Sequence, residues 1–338
     1  MFKKKIGIYA LTFAMAAIGM TGCSSSSSSS SKTEVTTQAA NKASSEPFRV
    51  VCTIFPEYDW VREILGDHAD NVDISYLLDS GVDLHNYQPT ADDIMKISTC
   101  DLFVYVGGES DEWVEGALAE ATNKDMKVIN LMDVLGDSAK VEELKEGMQE
   151  SEHEHEDGEE EYDEHVWLSL KNAKVLCAEI EKNIEAIDSA NAADYKANLD
   201  SYVAKLSELD NSFQTLVDGS SVKTLVFGDR FPFRYFVDDY GLDYFAAFIG
   251  CSAESEASFE TIMFLSDRIN ELDCNTVFTL ENSTKDIANA VINNSGKKGI
   301  QTAELNSLQS VSKDDISGGA SYLSLMQKNY DVLAGVMK

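Results

Sequence analysis

The chain of 338 residues carries 27 basic against 59 acidic side chains, a formal charge of −32, with 43% hydrophobic and 9% aromatic residues. A chain this anionic is repelled by a phosphate backbone, which argues against nucleic acid as a partner, and its apolar content is that of a folded protein. The charge attracts cations in general, but a solvated acidic face does the same, so it selects no ligand by itself.

At the amino terminus Lys3, Lys4 and Lys5 precede an apolar run through Ile18, and Met20-Thr21-Gly22-Cys23 follows. This is the layout of an export signal, too short to remain as a membrane-spanning helix. The small residues before Cys23 resemble the bacterial lipobox, which implies that residues 1–22 are removed and that Cys23 becomes the lipid-carrying first residue. Losing three lysines and no acid moves the formal charge from −32 to −35. Residues 23–46 are rich in Ser, Thr and Ala, with almost no large apolar side chains, and read as a flexible tether. Roughly 290 residues remain, enough for two modest domains.

Beyond Cys23 the cysteines are Cys52, Cys100, Cys177, Cys251 and Cys274, an odd number. Export permits disulfides, and Cys52–Cys100 and Cys251–Cys274 are the pairs that would link neighbouring elements. Cys177 falls on an apolar helix stripe as a small buried hydrophobe. No C-x-x-C spacing occurs, which makes the cysteines poor metal-ligand candidates.

From Phe48 strand and helix patterns alternate. Strands are expected at Arg49–Ile54, Val72–Leu77, Leu102–Val106 and Val128–Leu131, with helices at Tyr58–Leu65, Ala91–Ile97 and Glu112–Ala121. This βαβ grammar implies a parallel sheet. It restarts after Lys223, with strands at Thr224–Phe227, Tyr244–Phe248, Thr276–Leu280 and Thr302–Leu305 and helices at Phe233–Asp239, Ser258–Leu272, Lys285–Ile292 and Tyr322–Val336. Between these blocks, Asn191–Val217 carries Tyr195, Leu199, Tyr202, Leu206, Leu209 and Phe213 at helical spacing, a rod of about 40 Å. The expected fold class is α/β: an amino-terminal lobe over residues 47–190, a linking helix over 191–218 and a carboxyl-terminal lobe over 219–338. One segment breaks the pattern. Residues 150–164 form an acidic tract whose His153 and His155 are its only basic-capable groups, and such a tract should be a mobile loop.

Five histidines are present. His68 reads as a surface-turn residue. His85, in Asp83-Leu84-His85-Asn86-Tyr87-Gln88-Pro89-Thr90, follows a predicted strand and precedes a helix that Thr90 could cap; the carboxyl end of a parallel strand is where α/β sheets place ligand groups. His165, in Asp163-Glu164-His165-Val166-Trp167-Leu168-Ser169, terminates the acidic tract. Imidazole nitrogen is the commonest transition-metal donor, so two histidines on one lobe could supply half of a four-coordinate site.

The peptides around His85 and His165 resemble the "P-H-x-Y-x-P-T" and "D-P-H-V-W-L-S" signatures of the zinc- and manganese-binding solute-binding lipoproteins of ABC importers, the cluster A-I or cluster 9 family. Leu84 and Glu164 stand where that family has proline before each histidine. Thr53-Ile54-Phe55-Pro56, the Tyr195–Asp210 helix and the Phe236…Tyr240-Gly241-Leu242 segment are similar too, and the likeness runs from Phe48 to Lys338. It implies two (β/α) lobes joined by a rigid helix, with one metal ion in the cleft. The implied ligands are two histidines from the amino-terminal lobe, then a His or Glu and an Asp or Glu from the carboxyl-terminal lobe. The first two fall on His85 and His165. The third falls on Arg230, which has no lone pair to donate, and the fourth on Asn306, a poor zinc donor. Asp229 and Glu281 are the nearby carboxylates that could substitute.

The resemblance further implies an extracytoplasmic protein, lipid-anchored to the cell membrane, that performs no catalysis and delivers its ion as a monomer to an ABC permease. Zn(II) is favoured over Mn(II), because zinc-type members commonly carry His/acid tracts and nitrogen donors suit zinc better; His153 and His155 would collect metal loosely. The competing readings are a Mn(II)-binding importer protein, a surface adhesin and a metal-dependent hydrolase. No H-E-x-x-H or Ser-His-Asp signature supports the last.

Overall fold

The computed structural model describes residues 47–149, 161–252 and 256–338. Cys23, His153 and His155 lie outside the described residues, which all belong to one compact unit.

In the amino-terminal half β1 (Arg49–Cys52), α1 (Phe55–Leu65), β2 (Asp73–Tyr76), α2 (Ala91–Thr99), β3 (Leu102–Tyr105), α3 (Trp113–Ala119), β4 (Lys127–Asn130) and α4 (Leu131–Leu135) follow in order. The strands form a parallel sheet in the order β2-β1-β3-β4, with Val50 paired to Ile74 on one side and Leu102 on the other. Parallel neighbours need crossover connections, which α1, α2 and α3 supply. Val50, Val51 and Cys52, like Leu102, Phe103 and Val104, are all buried, as expected of a sheet covered on both faces.

Helix α5 (Leu170–Ile187) leads into α6 (Ala192–Gly219), the expected linking helix. Its 28 residues span about 42 Å. Tyr195, Leu199, Tyr202, Leu206, Leu209, Phe213 and Val217 are buried along it, each contributing roughly 1.5–3 kcal/mol relative to exposure. Phe213 anchors an aromatic cluster with Phe236, Tyr240 and Tyr330, at centroid distances of 5.0, 5.4 and 5.3 Å.

The carboxyl-terminal half runs β5 (Thr224–Val226), β6 (Arg230–Phe231), α7 (Arg234–Tyr240), β7 (Asp243–Phe245), β8 (Phe248–Ile249), α8 (Phe259–Glu271), β9 (Thr276–Leu280), α9 (Asp286–Ser295), β10 (Gln301–Leu305), α10 (Lys313–Ser317) and α11 (Tyr322–Val336). The parallel pairs are β5 with β7, β6 with β8 and β9 with β10, and a Phe227–Phe278 bridge joins the first pair to the last. The single strand expected at Tyr244–Phe248 is two strands: at buried Ala246 and Ala247 the chain stops pairing with β5 and starts pairing with β6.

The expected disulfides do not form; all five described cysteines are free. Cys100 Sγ turns to the Ile97 carbonyl and to Met126 Sδ, each at 3.3 Å, instead of toward Cys52. Cys274 is held at the end of α8 by Lys297, whose ammonium donates to its carbonyl at 2.8 Å.

Candidate metal centre

His85 sits in a short turn, Leu84–Asn86, between β2 and α2. Asp83 caps the turn, its Oδ1 accepting the His85 backbone N–H at 3.1 Å, and buried Leu84 pins it to the core. Downstream, Thr90 and Asp93 make a reciprocal cap for α2, and Tyr87 donates to Asp93 at 2.9 Å. The loop is therefore anchored on both sides of the imidazole.

His165, entirely buried, is fixed by its own loop. Asp163 Oδ1 accepts the His165 backbone N–H at 2.8 Å and lies 3.0 Å from Nδ1. The carboxyl-terminal half holds this loop through Tyr235, which donates to the Asp163 carbonyl at 2.8 Å. The Trp167 indole returns a bond to the Ser307 carbonyl at 2.9 Å.

The two rings present Nε2 to Nε2 at 3.2 Å. A carboxylate at Nδ1 of His165 favours the tautomer that leaves Nε2 with a lone pair. Nδ1 of His85 meets Ser110 Oγ at 2.8 Å and Glu164 Oε2 at 3.5 Å, which favours the same tautomer there. Two facing lone pairs repel unless a cation lies between them. A tetrahedral zinc with bonds of about 2.0–2.1 Å spans about 3.3 Å between two nitrogens, close to the observed separation. Burial, followed by the neighbouring His165, drives the His85 pKa down to about 3. For His165 burial acts in the same direction, but Asp163 and then Glu164 and Glu142 outweigh it and raise its pKa.

Glu164, which stands where the resembled signature has proline, supports both histidine loops. Its Oε1 accepts the Ser110 N–H at 2.8 Å while Oε2 faces His85, and burial is the main cause that pushes its carboxyl up to about 7. Gly108, at φ +85°, makes the approach possible, since a Cβ there would stand 2.4 Å from Glu164 Oε1.

From the carboxyl-terminal half, Asp229 and Glu281, the carboxylates expected as donors, are not in the cluster gathered around the histidine pair among the described residues. Asp229 directs its two oxygens to the N–H groups of Arg230 and Leu280, at 2.9 and 3.2 Å. Glu281 accepts from the N–H and hydroxyl of Ser307, at 2.7 and 2.6 Å. Both carboxylates tie strand ends together. Arg230 extends to Asp83, Nη2 to Oδ2 at 2.6 Å, and not to the Asp229 carboxylate. Asn306 Oδ1 accepts the Leu308 N–H at 2.8 Å. The residue that sequence reasoning missed is Cys251: its Sγ and a ring nitrogen of each of His85 and His165 all lie within 4.8 Å of one another, the one such cluster among the described residues. Its signal was weak because the nearest other cysteine, Cys274, is 23 positions away. His68 is remote from this pair and bonds Asp194 at 2.9 Å.

A cavity of about 240 Å³ opens onto His85, lined also by Cys251 and the acids Glu109, Glu142, Glu161 and Glu164. Two imidazoles, a thiol and an acidic mouth suit a borderline divalent cation.

Parallel α/β halves joined by a long helix, with two imidazoles brought together from separate loops, define the class of solute-binding proteins with a rigid connector. Residues 50–336 match the family described as "ZnuA: Zinc-uptake complex component A periplasmic", and the chain belongs to that family. It is 29% identical over 296 residues to the "Zinc-binding lipoprotein AdcA" of Streptococcus pneumoniae, covering 86% of this chain and 56% of that one. It is 28% identical over 340 residues to the "High-affinity zinc uptake system protein ZnuA" of Bacillus subtilis, covering 98% of each. The crystal structure of the Zn(II)-bound ZnuA-like domain of S. pneumoniae AdcA superposes with a TM-score of 0.67 at 26% identity, over 86% of this chain and 99% of that one. The chain spans about half the length of the streptococcal relatives.

Proposed function

We propose that the protein captures Zn(II) outside the cytoplasm and delivers it to the permease of an ABC importer. The observation that carries this is the 3.2 Å separation of the two Nε2 atoms, each ring braced at Nδ1. Membership of the ZnuA family and the zinc-binding and zinc-uptake roles of its relatives support it. The reaction is reversible coordination with no bond chemistry, and the nitrogen donors favour zinc over manganese. Membrane attachment is assigned to a lipid on Cys23, supported by the lipobox-like residues before it and by the description of the S. pneumoniae relative as a lipoprotein. His153 and His155 are assigned to loose collection of metal ahead of the buried pair. The lobes are assigned to residues 47–190 and 219–338, with 191–218 as the rigid link.

The test is metal content of the purified mature chain. One tightly held zinc, lost in a His85→Ala/His165→Ala double variant, is expected; a double variant that keeps its zinc would refute the site.

A further inference from the structure

Arg230 and Asn306 cannot replace the ligands expected from the carboxyl-terminal half, and Asp229 and Glu281 are engaged in bracing strand ends. The geometry points to Cys251 as the residue that fills this gap, its thiolate acting as the third zinc donor beside His85 and His165. This rests on the metal-binding reading above and specifies its donor set.

Three independent features aim Cys251 at the pair. It lies two residues beyond β8, on a loop at the carboxyl end of a strand, where α/β sheets present ligand groups. Gly250 lets that loop lie against the imidazole: a Cβ at this position would stand 2.9 Å from His165 Cε1 and 3.0 Å from Nδ1. Glu142 then fixes the backbone, its Oε1 accepting the Cys251 N–H at 3.0 Å. With Zn–S near 2.3 Å and Zn–N near 2.0–2.1 Å, a tetrahedral ion sets sulfur about 3.6 Å from each nitrogen. Closing from within 4.8 Å needs a side-chain adjustment and no change of fold.

The chemistry has a consequence for selectivity. Coordination replaces the S–H bond with a Zn–S bond, the proton leaving to solvent, and a thiolate favours zinc and softer ions over manganese. The two halves each contribute donors, so the ion cross-links them, and the fourth position faces the acidic cavity.

The experiment uses the metal-free mature chain, titrated with Co(II) and separately with Zn(II) against a chelator. Wild-type protein is expected to show a sulfur-to-cobalt charge-transfer band in the near ultraviolet. Cys251→Ser should lose that band and weaken zinc at least about ten-fold, since even removing a group that only supports a ligand costs that much. Cys274→Ser should keep both. A wild-type chain that binds cobalt through the histidines with no sulfur band overturns the role of Cys251 and leaves the histidine site standing. A band that persists in Cys251→Ser overturns it equally. A wild-type chain that takes up neither metal overturns the whole site, including the function proposed above. Because the band is read in wild-type protein, poor folding of a variant does not decide the result.

Discussion

Arg230 Nη2 meets Asp83 Oδ2 at 2.6 Å, and Oδ1 of the same aspartate caps the backbone of His85. The ion pair therefore links the carboxyl-terminal half to the loop carrying a metal donor. Burial alone would raise the Asp83 carboxyl, but Arg230, His85 and the bonds to both outweigh it and hold it below its usual range. Removing either partner leaves the other largely buried and unpaired, which is costly, yet the two removals differ in sign at the metal. Asp83→Ala frees a guanidinium to repel an incoming cation and uncaps His85, whereas Arg230→Met leaves a carboxylate that attracts it. Zinc competition assays are expected to show a loss above about ten-fold for Asp83→Ala and a clearly smaller one for Arg230→Met. Equal losses would mean that the pair acts on stability alone.

Glu164 braces Ser110 and faces His85, so it should tune affinity without touching the ion. Glu164→Gln keeps a carbonyl for the Ser110 N–H but loses the acid beside Nδ1; about ten-fold weaker zinc binding is expected at unchanged stoichiometry. Isothermal titration would measure both quantities, and unchanged affinity would remove Glu164 from the site.

The acidic tract offers a separate check. Deleting residues 150–160, which spares Asp163, should abolish a weak, multi-ion phase of zinc binding and leave one tight phase, because donors on an acidic tract that repels itself lack preorganisation. Loss of the tight phase in calorimetry would make His153 or His155 a primary ligand.

Glu57, at the head of α1, is fully buried, with Oε2 accepting from Thr53 N, Thr53 Oγ1 and Ile54 N. Burial, then the charge of Asp111, raises its carboxyl from 4.5 to about 8. The folded value exceeds the unfolded one, so folding takes up a proton. The group's contribution is fully present below pH 4.5 and is lost as pH rises through about 8. Between about pH 5 and pH 9, denaturant unfolding should show Glu57→Gln gaining on wild type by on the order of a few kcal/mol, at about 1.4 kcal/mol per unit. A constant difference across that range would mean that Glu57 does not titrate in the folded chain.

Phe213→Ala would empty the centre of the aromatic cluster on α6. A destabilisation of about 3–5 kcal/mol is expected in urea, with zinc stoichiometry unchanged in the folded fraction. A loss below about 1 kcal/mol would mean that the cluster closes over the gap.

Local patterns made much of this molecule legible before any tertiary contact was known. The apolar stripe on α6 and the limits of β9 and α11 match the sequence expectation, because burial of a regular element imposes a period that each segment carries in itself. The tyrosine, leucine and phenylalanine positions of α6 needed no partner to be recognised. His85 and His165 stood out because imidazoles at a strand end and at the edge of an acidic tract are chemically conspicuous even singly.

What tertiary structure alone decided is how donors meet. Arg230 and Asp83 are 147 positions apart, and no periodicity encodes which guanidinium reaches which carboxylate. Asp229 and Glu281 were sound donors by chemistry, and only the closing of β5 against β9 and the Ser307 turn showed their oxygens committed to backbone N–H groups. Cys251 has no spacing motif, and it reaches the histidines because Gly250 lets its loop rest on His165. Strand and helix periods report which face is buried, a property of neighbours in sequence. Convergence of side chains depends on loop closure between distant segments, which only the folded chain determines.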